Sequence, residues 1–251
     1  MHPILFTIGS LTLYTYGLML GLGFAAGVWV SSRRAEKRGM NPDSLFWLFI
    51  LLLVGGVAGG RLFHILLNLQ YYRDFLSIID TREGGLAIHG VLIGGFISAF
   101  LYARARKMQF ATLLDIVAPG LVLGQAIGRI GCFFSGCCYG IETSGTWGAL
   151  TRFAPGLRHP YQLYESAADF ALFAALLWLS GRIDFEGGLF ATYVTAYSGS
   201  RFILEFLRDN DGYLAGLSYG QWASLAGVVI GAALWTGFRR RSGATARNAI
   251  K

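Results

Sequence analysis

The sequence predicts an all-α, polytopic membrane protein of about seven transmembrane helices, with its N-terminus outside and its C-terminus in the cytoplasm. Three observations carry this. Of 251 residues, 54% are hydrophobic and only 14% charged, against about 25% charged in soluble domains. Apolar runs of the length needed to cross a ~30 Å hydrocarbon core, about 20 residues, recur seven times. The lysines and arginines gather in short clusters beside those runs. The basic residues behind the formal charge of +7 are therefore read as setting membrane topology, and nucleic acid is not expected as a partner.

The first apolar run covers about 11–31. It follows Pro3 and Thr7 with no basic stretch, and no small-residue cleavage site follows it, so a retained span is expected rather than a signal peptide. The second, about 44–67, carries Gly55, Gly56, Gly59 and Gly60, small residues that let neighbouring helices approach closely in lipid. Further spans are expected at about 87–103, 112–135, 162–180, 187–206 and 217–238, all in one transmembrane domain over residues 1–251. No internal repeat of convincing length occurs, which argues against an inverted-repeat transporter.

Orientation follows from the basic residues. The loops after spans one, three, five and seven hold thirteen: Arg33, Arg34, Lys37, Arg38, Arg104, Arg106, Lys107, Arg182, Arg239, Arg240, Arg241, Arg247 and Lys251. The opposite loops hold five, Arg73, Arg82, Arg152, Arg158 and Arg208. The richer side faces the cytoplasm.

Three arginines remain, Arg61, Arg129 and Arg201, inside apolar segments. Each costs roughly 2.5–3.5 kcal/mol at mid-bilayer, so none is expected to face lipid. At 1.5 Å per helical residue, Arg61 and Arg129 lie about 25 Å, and Arg201 about 20 Å, from the cytoplasmic ends of their spans. All three reach the outer half of the core. Tyr16 and His89 lie near the outer ends of their spans, and Glu205 stands one turn beyond Arg201 on the same face. A transporter needs polar groups along its whole path, whereas a site confined to one leaflet suits chemistry on a lipid headgroup or an anchored substrate. The plainer reading makes Arg201–Glu205 an internal helix pair and Arg61 a snorkelling side chain. Gly128 and Gly131 clear space around Arg129, which favours a functional role there. His89, with an ordinary pKa near ~6.5, could accept a proton, or simply satisfy a local hydrogen bond.

Cys132, Cys137 and Cys138 fall within seven residues. They form no disulfide framework for a chain of this size, and their spacing lacks the second pair of a zinc site, so no metal is assigned. No cofactor is implied.

The run Gly128-Arg129-Ile130-Gly131-Cys132-Phe133-Phe134-Ser135-Gly136-Cys137-Cys138-Tyr139-Gly140 resembles the signature of the bacterial prolipoprotein diacylglyceryl transferases. Five collinear segments match as well: Tyr14-Thr15-Tyr16-Gly17-Leu18, Gly59-Gly60-Arg61, Ile88-His89-Gly90, Arg158-His159-Pro160-Tyr161-Gln162-Leu163-Tyr164-Glu165 and Arg201-Phe202-Ile203-Leu204-Glu205-Phe206-Leu207-Arg208. The resemblance implies a bacterial inner-membrane enzyme with its active site facing the periplasm. Such enzymes move diacylglycerol from phosphatidylglycerol to the lipobox cysteine of a prolipoprotein signal peptide and release glycerol phosphate. It implies catalytic roles for Arg129, Arg201, His89 and Tyr16, with Arg61, Glu205, Arg208 and Gly140 joining the two arginines in substrate binding. Two positions depart from the family signature, which carries asparagine at Cys132 and an acidic residue at Cys137. The stretch from Gly140 to Arg158 is also shorter than the family's periplasmic insert. An outward position exposes the cysteines to an oxidising compartment, where Cys132–Cys137 or Cys132–Cys138 could pair; as small buried apolar residues they would stay free. A relative acting on another lipid or acceptor, and a non-enzymatic thiol or transport protein, are the alternatives.

Overall fold

In the computed structural model, which describes residues 3–9, 11–72, 85–210 and 212–248, seven α-helices occur among the described residues. They are α1 (Thr15–Glu36), α2 (Pro42–Leu67), α3 (Ile88–Ala105), α4 (Phe110–Ser135), α5 (Tyr161–Leu179), α6 (Gly188–Leu204) and α7 (Tyr219–Asn248). Three short antiparallel hairpins accompany them: β1 (Ile4–Ile8) with β2 (Leu11–Tyr14), β3 (Ala149–Leu150) with β4 (Leu157–Arg158), and β5 (Tyr213–Leu214) with β6 (Leu217–Ser218). Of the residues counted for orientation, Arg73, Arg82 and Lys251 lie outside the described residues.

Five helices are long and apolar enough to cross a membrane: Thr15–Glu36, Leu45–Leu67, Ile88–Ala105, Phe110–Ser135 and Tyr219–Gly243. Their outer faces are apolar too. Leu20, Trp29, Phe46, Trp47, Leu92 and Val229 are all exposed, the reverse of a water-soluble pattern. The expected spans 162–180 and 187–206 form as α5 and α6 but fall short of that standard. The 17 residues of α6 rise only about 25 Å. In α5 the polar Gln162, Glu165, Ser166 and Asp169 are buried inside the protein and dilute its hydropathy.

One boundary is corrected. Residues 11–14, expected in the first span, form β2, which pairs antiparallel with β1 from Ile8↔Leu11 to Ile4↔Tyr14, with a register shift between Ile4 and Phe6. The alternating Leu-Thr-Leu-Tyr suits a pleated strand better than a helix. At the other end, α7 continues beyond 238 through Arg239, Arg240 and Arg241.

The chain divides into two compact units. The smaller, Ser32–Leu113, is dominated by the α2–α3 hairpin, sealed by glycine. A Cβ added at Gly59 or Gly90 would strike the other helix's backbone oxygen, and one at Gly94 would strike the Gly55 carbonyl. Glycine spacing of four keeps both seams on one face, so the helix backbones meet directly.

The larger unit comprises Met1–Ser31 and Leu114–Lys251. Here Gly23 and Gly27 of α1 meet Gly124 and Gly120 of α4 with equal closeness, a Cβ at either α1 position landing 2.8 Å from the opposing carbonyl oxygen. Gly227 and Gly231 of α7 face the hydroxyls of Ser198 and Thr195 on α6. Val122, Leu176 and Leu189 bring α4, α5 and α6 into one core cluster. At the N-terminus of α6, the buried Asp115 carboxylate accepts N–H bonds from Gly187 (2.7 Å) and Phe190 (2.8 Å). An acid from α4 thereby caps helix α6, neutralising orphan amides and the positive end of the helix dipole. These contacts fix the helix registers that align the polar groups of the site.

Candidate active site

Within the larger unit, the polar residues collect at one end of four helices. Arg129 is near the C-terminus of α4, Glu165 in the second turn of α5, Arg201 in the last turn of α6, and Ser218 immediately before α7. Two carboxylates hold three guanidinium groups in a chain. Arg129 Nη1 lies 3.1 Å from Glu165 Oε2. Arg201 Nη1 pairs with Glu165 Oε1, and its Nη2 lies 3.1 Å from Glu205 Oε2. Arg208 Nη1 lies 3.4 Å from Glu205 Oε1.

Glu165 and Glu205 are 4% and 3% exposed, so neither charge is stabilised by water. Their neighbours replace it. The Tyr161 hydroxyl donates to Glu205 Oε2 at 3.2 Å, and Ser218 Oγ donates to Oε1 at 3.5 Å. A Cβ at Gly220 would collide with the Glu205 carboxylate, so glycine at the start of α7 makes room for it. Tyr197 of α6 lies against the Arg129 guanidinium. Arg201 and Arg208 both stack about 6 Å from the Tyr161 ring, at 5.8 and 5.9 Å.

The chain of ion pairs carries a net charge of +1, from Arg129, Arg201 and Arg208 against Glu165 and Glu205. Each guanidinium offers five N–H donors, while a carboxylate offers about four acceptor sites, so donors exceed acceptors. An oxyanion arriving here meets preorganised donors and surplus positive charge in surroundings of low dielectric. Beside it is a small cleft walled by Glu165, Asp169, Tyr197, Ser200 and Arg201.

The signature run supplies the roof. Gly136 turns the chain out of α4 at φ +80°, and Cys138 itself occupies the left-handed region at φ +58°. Three anchors hold the turn: Thr151 Oγ1 donates to the Gly136 carbonyl at 2.7 Å, Gln162 Nε2 donates to the Cys137 carbonyl, and Asp209 N donates to the Tyr139 carbonyl at 3.3 Å. Gly140 pairs antiparallel with Arg208. A Cβ there would sit 2.7 Å from His159 Cβ, so glycine admits close approach of three backbone segments and locks the Arg208 segment to the signature loop. Tyr16, 41% exposed, packs its ring edge at Gly131, two residues from Arg129. The three cysteines are free and half-buried, with their sulfurs within 4.8 Å of one another.

Arg61 and His89 belong to the smaller unit. Arg61 Nη1 donates to the Gly85 carbonyl at 3.2 Å, and its guanidinium lies 4.9 Å from the Tyr72 ring. The Tyr72 hydroxyl and His64 Nδ1 form a hydrogen bond of 2.9 Å. His89 is exposed at the start of α3, with its ring 6.2 Å from that of Phe63.

Of the residues singled out from sequence, the larger unit thus joins Arg129, Arg201, Glu205 and Arg208 in one network, with Tyr16, Gly140 and the cysteines around it. Glu165, the bridge between Arg129 and Arg201, escaped notice as a site residue. Its signal was available: Tyr161, Glu165 and Asp169 recur every four residues in an apolar helix, which puts two carboxylates on one buried face.

The fold and the site define a helical membrane protein with a buried, net-cationic polar centre, the environment of an enzyme acting on an anionic group. Residues 3–236 match the sequence profile of the prolipoprotein diacylglyceryl transferases, and the chain belongs to that family of transferases. It is 39% identical over 237 residues to the phosphatidylglycerol–prolipoprotein diacylglyceryl transferase of Clostridium tetani (strain Massachusetts / E88), covering 92% of this chain and 95% of the relative. The enzymes of the same name from Clostridioides difficile (strain 630) and Trichormus variabilis (strain ATCC 29413 / PCC 7937) are 34% and 36% identical. Those matches cover 92% and 95% of this chain, and 93% and 91% of the relatives. Family membership decides for an enzyme over a non-enzymatic thiol or transport protein.

Proposed function

We propose that this chain transfers the diacylglyceryl group of phosphatidylglycerol to the lipobox cysteine thiol of a prolipoprotein signal peptide and releases glycerol phosphate. The observation that carries the reading is the bridging of Arg129 and Arg201 by one buried carboxylate, Glu165. In the reaction the thiolate sulfur attacks the glyceryl carbon bonded to the phosphate oxygen. The C–S bond forms as the C–O bond breaks, and the departing phosphodiester monoanion becomes a monoester dianion. Charge therefore grows on phosphate oxygens during the step. Guanidinium groups held at a fixed separation stabilise that growth more than they stabilise the resting lipid, which is the condition for accelerating the reaction. Arg129 and Arg201 take this role, with Glu205 and Arg208 fixing Arg201 from the far side.

A thiol with an ordinary pKa near ~8.5 must lose its proton to attack. In this reading His89 accepts it, Tyr16 orients the headgroup, and Arg61 and Gly140 help to bind substrate. All seven helices traverse the bacterial inner membrane, with the N-terminus and the site on the periplasmic side and the C-terminus in the cytoplasm. The excess of basic residues in the loops assigned to the cytoplasm supports that orientation.

The test is transfer of labelled diacylglycerol from phosphatidylglycerol vesicles to a lipobox peptide by the purified protein. Arg129→Ala and Arg201→Ala are each expected to lower the rate at least ~10²-fold, the cost of removing one donor from a charge-stabilising site, while the protein still melts cooperatively. Labelling that persists in both variants refutes the mechanism. The cysteines at positions 132 and 137 favour a second reading, a relative with a different lipid or acceptor. Restoration of prolipoprotein transfer only in a Cys132→Asn, Cys137→Glu variant would select it.

A further inference from the structure

Cys132 lies in the last turn of α4 while Cys137 and Cys138 lie beyond the turn, yet their Sγ atoms all fall within 4.8 Å of one another. The turn at Gly136 folds the second and third thiols back onto the first. A cation bound by three thiolates at about 2.3 Å needs sulfur–sulfur separations of roughly 3.8–4.0 Å, whether the arrangement is trigonal or part of a tetrahedron. The cluster is close to that size.

Three further features fit. The turn is anchored at the Gly136, Cys137 and Tyr139 carbonyls, so the thiols are held in place before a ligand arrives. All three cysteines are free and half-buried, so the sulfurs are open to a ligand while partly shielded from solvent. Finally, three thiolates around a monovalent or divalent cation leave a complex of net charge −2 or −1. Neighbouring arginines stabilise an anionic complex, whereas they would repel a cation held by neutral ligands.

We infer that Cys132, Cys137 and Cys138 form a binding site for a soft d¹⁰ metal cation, of the Cu(I), Zn(II) or Cd(II) kind that thiolate ligands select. The inference rests on the thiol geometry and does not require the proposed transfer reaction. Ligation requires thiolates, so apparent affinity falls as the pH is lowered.

The experiment uses the full chain in detergent, reduced and then freed of reductant, and titrated with CdCl₂. The rise of thiolate-to-metal charge-transfer absorption in the ultraviolet is expected to saturate at one Cd per chain, and bound Cd should protect all three cysteines from alkylation. Each Cys→Ser variant should lose about one third of the absorption and weaken binding at least ~10-fold, and a triple Cys→Ala variant that melts like the parent should show none. Absorption unchanged in the triple variant would overturn the inference. So would alkylation at undiminished rates in the presence of Cd, or mass spectrometry finding a disulfide among the three in protein purified without reductant.

Discussion

The residue on which most depends is Glu165, because one carboxylate 4% exposed to solvent holds Arg129 and Arg201 together. Removing one member of a buried ion pair leaves uncompensated charge and costs about 3–5 kcal/mol. Glu165→Gln keeps the shape and some hydrogen bonding but deletes the charge. It is expected to lower the melting temperature and to reduce transfer strongly, with a larger fall in kcat than rise in KM, because the arginines would still bind a phosphate but no longer at a fixed separation. Equal effects on both parameters, or none, would contradict the bridging role. The contrast with the arginines shows what a sequence can display. Arg129 and Arg201 were legible because a guanidinium in an apolar run is conspicuous and costly, and Glu205 because it stands one helical turn from Arg201. The four-residue spacing of Glu165 from Tyr161 and Asp169 marks a buried polar face, but only its contacts identify the two arginines it bridges. Asp115 was hidden for a similar reason: its work is to cap α6, 72 residues further along the chain.

At the scale of elements, all seven expected helices form, and hydropathy marks five of them as long and apolar enough to cross a membrane. Their ends were less legible. Leu11–Tyr14 pairs as a strand through contacts with Ile4–Ile8 that no local window displays, and α7 runs on through Arg239–Arg241, good helix formers that no proline interrupts. Glycine was read correctly as packing in α2, and the α2–α3 hairpin gives that reading a test. The added Cβ at Gly90 would meet the Gly59 backbone, which cannot move aside as a flexible side chain could. Gly90→Leu should therefore push α3 off α2 and lower thermal stability by several degrees or prevent folding. Gly95→Leu, at a position with open space around its Cβ, should be tolerated. Similar melting curves for the two variants would show that the seam is not held by close backbone contact.

For the whole molecule, the decisive quantity is which side of the membrane the arginine network faces. The proposed orientation does not depend on whether α5 and α6 cross fully. They form a consecutive pair, so counting both or neither leaves the total odd at seven or five, with the two termini on opposite sides in either case. If the N-terminus is outside, α4 ends outside, and so do the start of α5, the end of α6 and the start of α7, the four places that supply Arg129, Glu165, Arg201 and Ser218. A substrate displayed on the outer leaflet then meets the network directly. Reporters fused to the C-terminus check the sign of this arrangement. A fluorescent protein that matures only in the cytoplasm should glow, and alkaline phosphatase, active only in the periplasm, should stay inactive. A thiol reagent that cannot cross the membrane should in parallel label Cys137 or Cys138 in intact cells stripped of their outer barrier. The opposite pattern, an active phosphatase with labelling only after lysis, would place the guanidinium groups at the cytoplasmic leaflet. A secreted precursor's cysteine could not reach them there, and the proposed reaction would have to be abandoned even though the ion-pair geometry remained intact.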